Sequence, residues 1–311
     1  MTKVLLDLRY RLEYALLLAL VGLVRLMPVD TAANVSARIW GLVAPRLRRH
    51  RRALDNLAIA YPEKTPDERE AIARAMWENL GRVMAETMQI DRLIRDPHRL
   101  RIANEQMFRR YKDKLGPAIG CSLHMGNWEL AIWPLVVAGA NPAAVYRTVK
   151  NPYVDAYLRH QRRDLYPGGL LGKGKVDGNW EEGQRTARQI TDFVRNGGRL
   201  GLVCDLYDKS GLPVPFFGRE ARSVAIPAMI ARRLGARIWL ARCLRIGTES
   251  RFELEIKELK VPRSANSGED VKWITAAMQR EFEAWIREAP EQWMWSNRRG
   301  EIYVLVAAAG Y

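Results

Sequence analysis

Beyond Gly116-Pro117 the chain alternates short apolar runs with segments of helical periodicity, and this alternation restricts the fold more than any other feature. Ala118 to Leu123 reads as a buried strand, Asn127 to Val137 as a helix and Ala143 to Tyr146 as a second strand. Helices follow near residues 152–164, 183–196 and 223–234, with strands near 169–172, 199–204, 236–246 and 251–258. Arg251 to Leu259 alternates strictly, as a strand with one solvated face does. Such alternation of elements predicts an α/β fold with a mixed, largely parallel central sheet flanked by helices. Gly211, Pro213, Pro215 and Gly218 make Asp205 to Arg222 a long loop after a strand, and loops at the carboxyl ends of strands often line sites.

Ahead of this region, Ala53 to about Asp96 is helical in pattern, and Thr65-Pro66-Asp67-Glu68 supplies a capping box with proline at the first helical position. Tyr14 to Val24 is uncharged and apolar, yet shorter than the roughly 20 residues a spanning helix needs. No small-residue cleavage site follows it, so residues 1–30 are expected to be a retained hydrophobic membrane-anchoring helix, shallow in one leaflet or crossing with help from its flanks. The basic run from Arg46 to Arg52 would favour an anionic surface by roughly 1 kcal/mol per basic residue. The same two segments also fit an amphipathic core helix followed by a solvated basic turn.

Fifty Lys and Arg against 35 Asp and Glu leave a net charge of +15, which suits nucleic acid, anionic lipid, a phosphorylated glycolipid or an acidic carrier protein. No RNA-binding or helix-turn-helix signature accompanies the basic run, so nucleic acid is not an expected partner. Cys121, Cys204 and Cys243 form no CxxC or Cys/His metal pattern and lie in apolar runs. They read as small buried hydrophobes in a reduced, cytoplasmic setting, and no metal or redox cofactor is implied.

Among four histidines His124 differs in context, because it ends an apolar strand and precedes Met125-Gly126-Asn127-Trp128-Glu129. Were all six residues helical, positions 124 and 129 would lie about 140° apart around the axis. A tight turn at Gly126, with Asn127 capping the next helix, instead lets Glu129 reach one ring nitrogen while the other faces a substrate. An imidazole with an orienting carboxylate suits removal of a proton from a hydroxyl, the step that acyl transfer to an alcohol needs. Backbone amides near Gly126 and Asn127 are then candidates to stabilise an oxyanion. A satisfied structural histidine is the competing reading. Two decoys fail: Gly120 to His124 ends in His where a nucleophile elbow needs Gly, and Gly172-Lys173-Gly174-Lys175 has the wrong spacing for a phosphate loop.

His124-x-x-x-x-Glu129 resembles the HX4(D/E) signature of the lysophospholipid acyltransferase superfamily, and HMGNWE is similar to the form in bacterial lipid A late acyltransferases. Asn56-Leu57 through Tyr61-Pro62-Glu63, Val145-Tyr146-Arg147 with Lys150-Asn151-Pro152, Asp205 with Pro215-Phe216-Phe217-Gly218, and Trp293 to Arg299 resemble the family's other blocks in order. The resemblance implies that residues 31–311 form an acyltransferase domain at the cytoplasmic face of the cell inner membrane. Its reaction would move a fatty acyl chain from acyl carrier protein to a hydroxyl of a lipid A precursor. His124 and Glu129 would be catalytic. Arg147 would contact a phosphate or position the acceptor; Asn151, otherwise a helix cap, and Asp205, which would hold a site arginine or the loop, join Gly126 and Asn127 as candidate substrate-binding residues. The acyl chain is expected in an apolar channel at whose mouth the imidazole sits. Leu206 and Ser296-Asn297 depart from the family pattern, which commonly has Gln and His there. Trp293 and Trp295 suit either a bilayer interface or the core. A lysophospholipid or phosphatidylinositol mannoside acyltransferase, and a non-catalytic lipid- or carrier-binding protein, are the alternatives.

Overall fold

The computed structural model describes residues 3–113, 116–173 and 180–297. The amino-terminal part is helical: α1 (Lys3–Arg25), α2 (Val29–Val43), α3 (Arg48–Ala60), α4 (Pro66–Thr87) and α5 (Ile90–Arg95). The expected capping box opens α4, with Thr65 Oγ1 accepting from the Glu68 amide at 3.2 Å and Glu68 Oε2 from the Thr65 amide at 2.7 Å. Next come β1 (Leu100–Ile102), α6 (Glu105–Asp113), β2 (Ala118–Ser122), α7 (Trp133–Val137), β3 (Ala143–Arg147), α8 (Pro152–Gln161), β4 (Gly169–Lys173), α9 (Trp180–Arg195) and β5 (Arg199–Val203). The chain continues through β6 (Tyr207–Phe216), β7 (Arg219–Ser223), α10 (Ile226–Leu234), β8 (Arg237–Arg245), β9 (Phe252–Leu259) and α11 (Ser267–Glu288).

Seven strands form one sheet in the order β1-β9-β8-β2-β5-β3-β4. Every pairing is parallel except β8 with β9, so the sheet is mixed and largely parallel, as the alternation of elements predicts. Central β2 is apolar along its length because helices cover both faces, whereas Phe252, Leu254 and Ile256 of β9 are buried in alternation. Consequently β2, β5, β3 and β8 all point their carboxyl ends to one edge of the sheet.

Three expectations change. The supposed loop after Asp205 is a two-stranded hairpin: β6 and β7 pair antiparallel around Phe217 and Gly218, both at positive φ as a two-residue type I′ turn demands. Pro213 and Pro215 are tolerated because this ribbon has free edges. Asn127 to Val137 is not one helix but a 3-10 helix over Trp128–Ile132 followed by α7. The third concerns α1, which buries Val21 alone and exposes Leu5, Leu8, Leu12, Leu16 and Leu23. Asp7, Arg9, Arg11 and Glu13 interrupt its apolar character, and no described helix is long and apolar enough to cross a membrane. The expected anchor therefore gains no support as a spanning element.

Trp293 and Trp295 are buried, so they belong to the core and not to a bilayer interface. Arg298, Arg299 and the apolar tail 301–311 lie outside the described residues.

Candidate active site

The site forms where β2 and its neighbour β5 end. Past the last paired residues, the Cys204 amide donates to Ser122 O at 2.8 Å and continues the ladder, which brings Asp205 opposite His124. The Asp205 side chain is fully buried. Its Oδ1 accepts from His124 Nδ1 at 2.8 Å, and its Oδ2 accepts from the His124 amide at 2.9 Å and from Trp293 Nε1 at 2.8 Å. A carboxylate on Nδ1 fixes the proton there and leaves the lone pair on Nε2, which has no protein hydrogen-bond partner among the described residues. Trp128 stands edge-on to the ring with centroids 5.2 Å apart. Met294 N donates to His124 O at 3.1 Å, so the segment after α11 holds the imidazole's backbone as well.

Asp205, and not Glu129, is thus the carboxylate that orients His124. Glu129 lies in the 3-10 helix and turns instead toward the end of α8, where Arg162 grips it through Nε at 2.8 Å and Nη2 at 2.7 Å. The expected hydrogen bond between Glu129 and His124 is absent. Among the described residues, Asp205 meets the imidazole and amide of His124 and the indole of Trp293. Glu129 keeps an electrostatic role. Burial pushes the His124 pKa down, but the Asp205 charge, its hydrogen bond and the Glu129 charge outweigh burial and leave it raised above 6.5. Burial likewise opposes the charge on Arg162, and Glu129 more than offsets it.

The remaining candidates separate. The Arg147 side chain, exposed at the end of β3, makes no hydrogen bond or ion pair among the described residues, which suits it to meet an anion. It sits two strands from β2, roughly 10 Å away. Asn151 is saturated: Oδ1 caps α8 on the Tyr153 and Val154 amides, while Nδ2 donates to Tyr10 O and Glu13 Oε2 of α1. It is a structural clamp, which removes it from the substrate-binding candidates. Gly126 N donates to Gln292 O at 2.9 Å and Asn127 N to Cys243 O at 3.1 Å, so these amides are not available to an oxyanion as expected. The Asn127 side chain is wholly buried on Glu86 and cannot touch a substrate.

Gly126 matters for a different reason. It has φ 56°, and a Cβ there would fall 1.7 Å from the Cys243 carbonyl oxygen. Gly126→Ala is expected to destabilise the protein by about 3 kcal/mol or more, read as a lower denaturation midpoint, because backbone must move as well as strain.

The crevice that borders Trp128 is too small to be the expected apolar channel. Lined by Met76, Leu80, Trp293 and Met294, it holds about 10 Å³, against the roughly 300 Å³ or more of a ligand pocket. Apolar surface is available nonetheless: Val203, Leu206, Ile226 and Met229 are exposed, and the first two flank Cys204-Asp205 at the site itself. A cleft of about 430 Å³ lined by Met107, Arg110, Arg237, Glu258, Lys260 and Arg263 opens at the opposite, amino end of β8.

The family model described as bacterial lipid A biosynthesis acyltransferase matches residues 2–299 of the chain, which covers every element of the site. No curated protein sequence matches it significantly.

Proposed function

The chain belongs to the bacterial lipid A biosynthesis acyltransferase family, and on that footing we propose that it transfers a fatty acyl chain from acyl-acyl carrier protein to a hydroxyl of a lipid A precursor of the Kdo-lipid IVA type. The observation that carries this reading is the Asp205–His124 pair at the carboxyl edge of the sheet, with Nε2 left unengaged. His124 Nε2 takes the acceptor's hydroxyl proton as the oxygen attacks the thioester carbonyl. The imidazolium that results is stabilised by Asp205 and by the nearby charge of Glu129. Collapse of the tetrahedral intermediate breaks the carbon–sulfur bond, and the proton passes to the departing thiolate. Transfer is direct, within a ternary complex.

Arg147 supplies a guanidinium for a phosphate of the acceptor, and Val203 and Leu206 offer apolar surface on which the acyl chain can lie. The charge of +15 favours an acidic carrier protein and an anionic lipid, so binding should weaken with salt. The exposed leucines of α1, with Ile39 and Leu42 of α2 and the exposed Arg46, Arg48, Arg49 and Arg51, support a shallow seat on the cytoplasmic face of the inner membrane.

The test is a purified assay with acyl-acyl carrier protein and a panel of acceptors read by mass spectrometry. One acyl increment on the lipid A precursor is expected. An increment on lysophospholipid or phosphatidylinositol mannoside instead would transfer the reading to those substrates, and no product with any acceptor would favour a binding protein.

A further inference from the structure

The mechanism above makes no use of an ion pair buried behind the catalytic turn. Glu86 of α4 and Arg245 at the end of β8 meet through two hydrogen bonds, Nη1 to Oε1 at 2.5 Å and Nη2 to Oε2 at 2.9 Å, with side chains almost wholly shielded from solvent. Both carboxylate oxygens take a second donor: Ser250 Oγ reaches Oε1 at 2.7 Å, and Asn127 Nδ2 reaches Oε2 at 2.9 Å. Arg245 Nε donates to Asn79 Oδ1 at 3.1 Å, and Asn79 Nδ2 in turn donates to Gly126 O at 3.1 Å. Gln292 closes the ring. Its side chain brackets the Arg245 backbone at 2.8 and 3.1 Å, while its carbonyl accepts from Gly126 N at 2.9 Å.

The backbone N and O of Gly126, and the amide and side-chain Nδ2 of Asn127, therefore end on residues of this network or on Cys243 beside it. A buried pair of this kind adds little net stability over apolar side chains of similar volume, since desolvation of both charges offsets their attraction. What it does supply is a fixed reference point with directional bonds. We propose that the Glu86–Arg245 pair, acting through Asn127, Asn79 and Gln292, is a positioning device that sets the Gly126-Asn127 turn and with it the direction in which the His124 imidazole faces the substrate. The placement rests on His124 being the base. Its residues touch no reacting atom; they act through the turn, where an error of about 1 Å can cost a hundredfold in rate.

Two variants test this in the full-length protein, with acyl transfer and thermal denaturation measured together. Glu86→Leu with Arg245→Met removes both charges together and strands neither, so the fold should survive, with a melting temperature lowered by the hydrogen bonds that Asn127, Asn79 and Ser250 lose. Its kcat should nonetheless fall about ten- to a hundredfold with KM within twofold, because Asn127 has lost its anchor. Asn127→Ala leaves the ion pair and its contacts to Gly126 intact, cuts the direct link from Glu86 to the turn, and should lower kcat by about tenfold at unchanged KM; it decides the matter if the double variant does not fold. Wild-type kcat in Asn127→Ala, or in a folded double variant, overturns the positioning role while an inactive His124→Ala leaves the base assignment standing. An active His124→Ala would overturn the reading beneath both.

Discussion

His124→Ala protein should transfer acyl chains about 10²- to 10⁴-fold more slowly than the wild type, the range that a positioned general base contributes. The loss belongs to kcat, because Nε2 acts on the hydroxyl proton in the transition state and contributes little to holding the ground state. Stability should fall less, by about 1–3 kcal/mol. The buried Asp205 carboxylate loses the ring donor but keeps the position-124 amide and the Trp293 indole. A circular-dichroism melt beside the rate measurement separates the two effects.

Asp205→Asn is expected to cost nearly as much, by another route. The amide keeps the shape of the carboxylate, so the bonds from the position-124 backbone and Trp293 can persist through its oxygen. Its NH2 group then faces Nδ1, which must accept rather than donate, and the ring proton moves to Nε2. Such a ring cannot take a proton from the acceptor; the corresponding change in a serine protease triad costs about 10⁴-fold. The titration also moves. With the Asp205 charge gone, burial is opposed only by the more distant Glu129, and the imidazole pKa should fall. A kcat/KM profile across pH reads both the loss and the shift.

Much of the sheet is legible in the residues. Strand β2 and the apolar stretches Leu200 to Val203 of β5 and Ile238 to Ala241 of β8 show as runs without alternation, β9 alternates, and α4 announces its start with a complete capping box. The three-residue β1 is too short to carry a pattern, and the prolines of β6 mimic a loop because nothing in the sequence says that the ribbon has free edges. The site is legible by halves. His124 stands out by its place at a strand end before a glycine turn. Asp205 is singled out only by the family resemblance, and its pairing with His124 is not legible, because it lies 81 residues away and reaches the imidazole only through the register of β2 against β5. Trp293, 88 residues beyond Asp205 in the chain, and Arg162, 33 beyond Glu129, are joined to the site by tertiary packing alone. The short spacing from His124 to Glu129 invites a local pair; the tight 3-10 turn at Trp128 and the bidentate pull of Arg162 redirect that carboxylate. The buried Glu86–Arg245 network has no sequence signal, since its members lie 159 residues apart.

Which carboxylate governs the imidazole can be read from the acid limb of kcat/KM in three proteins: wild type, Asp205→Asn and Glu129→Gln. A base must be neutral to act, so activity rises with pH through the His124 pKa, and in the wild type that rise is predicted to centre above the ordinary value of about 6.5. Asp205→Asn should carry the limb below that value, while Glu129→Gln should lower it by a smaller amount. A limb that stays in place in Asp205→Asn but drops in Glu129→Gln would contradict the assignment and return the orienting role to the carboxylate five residues along the chain.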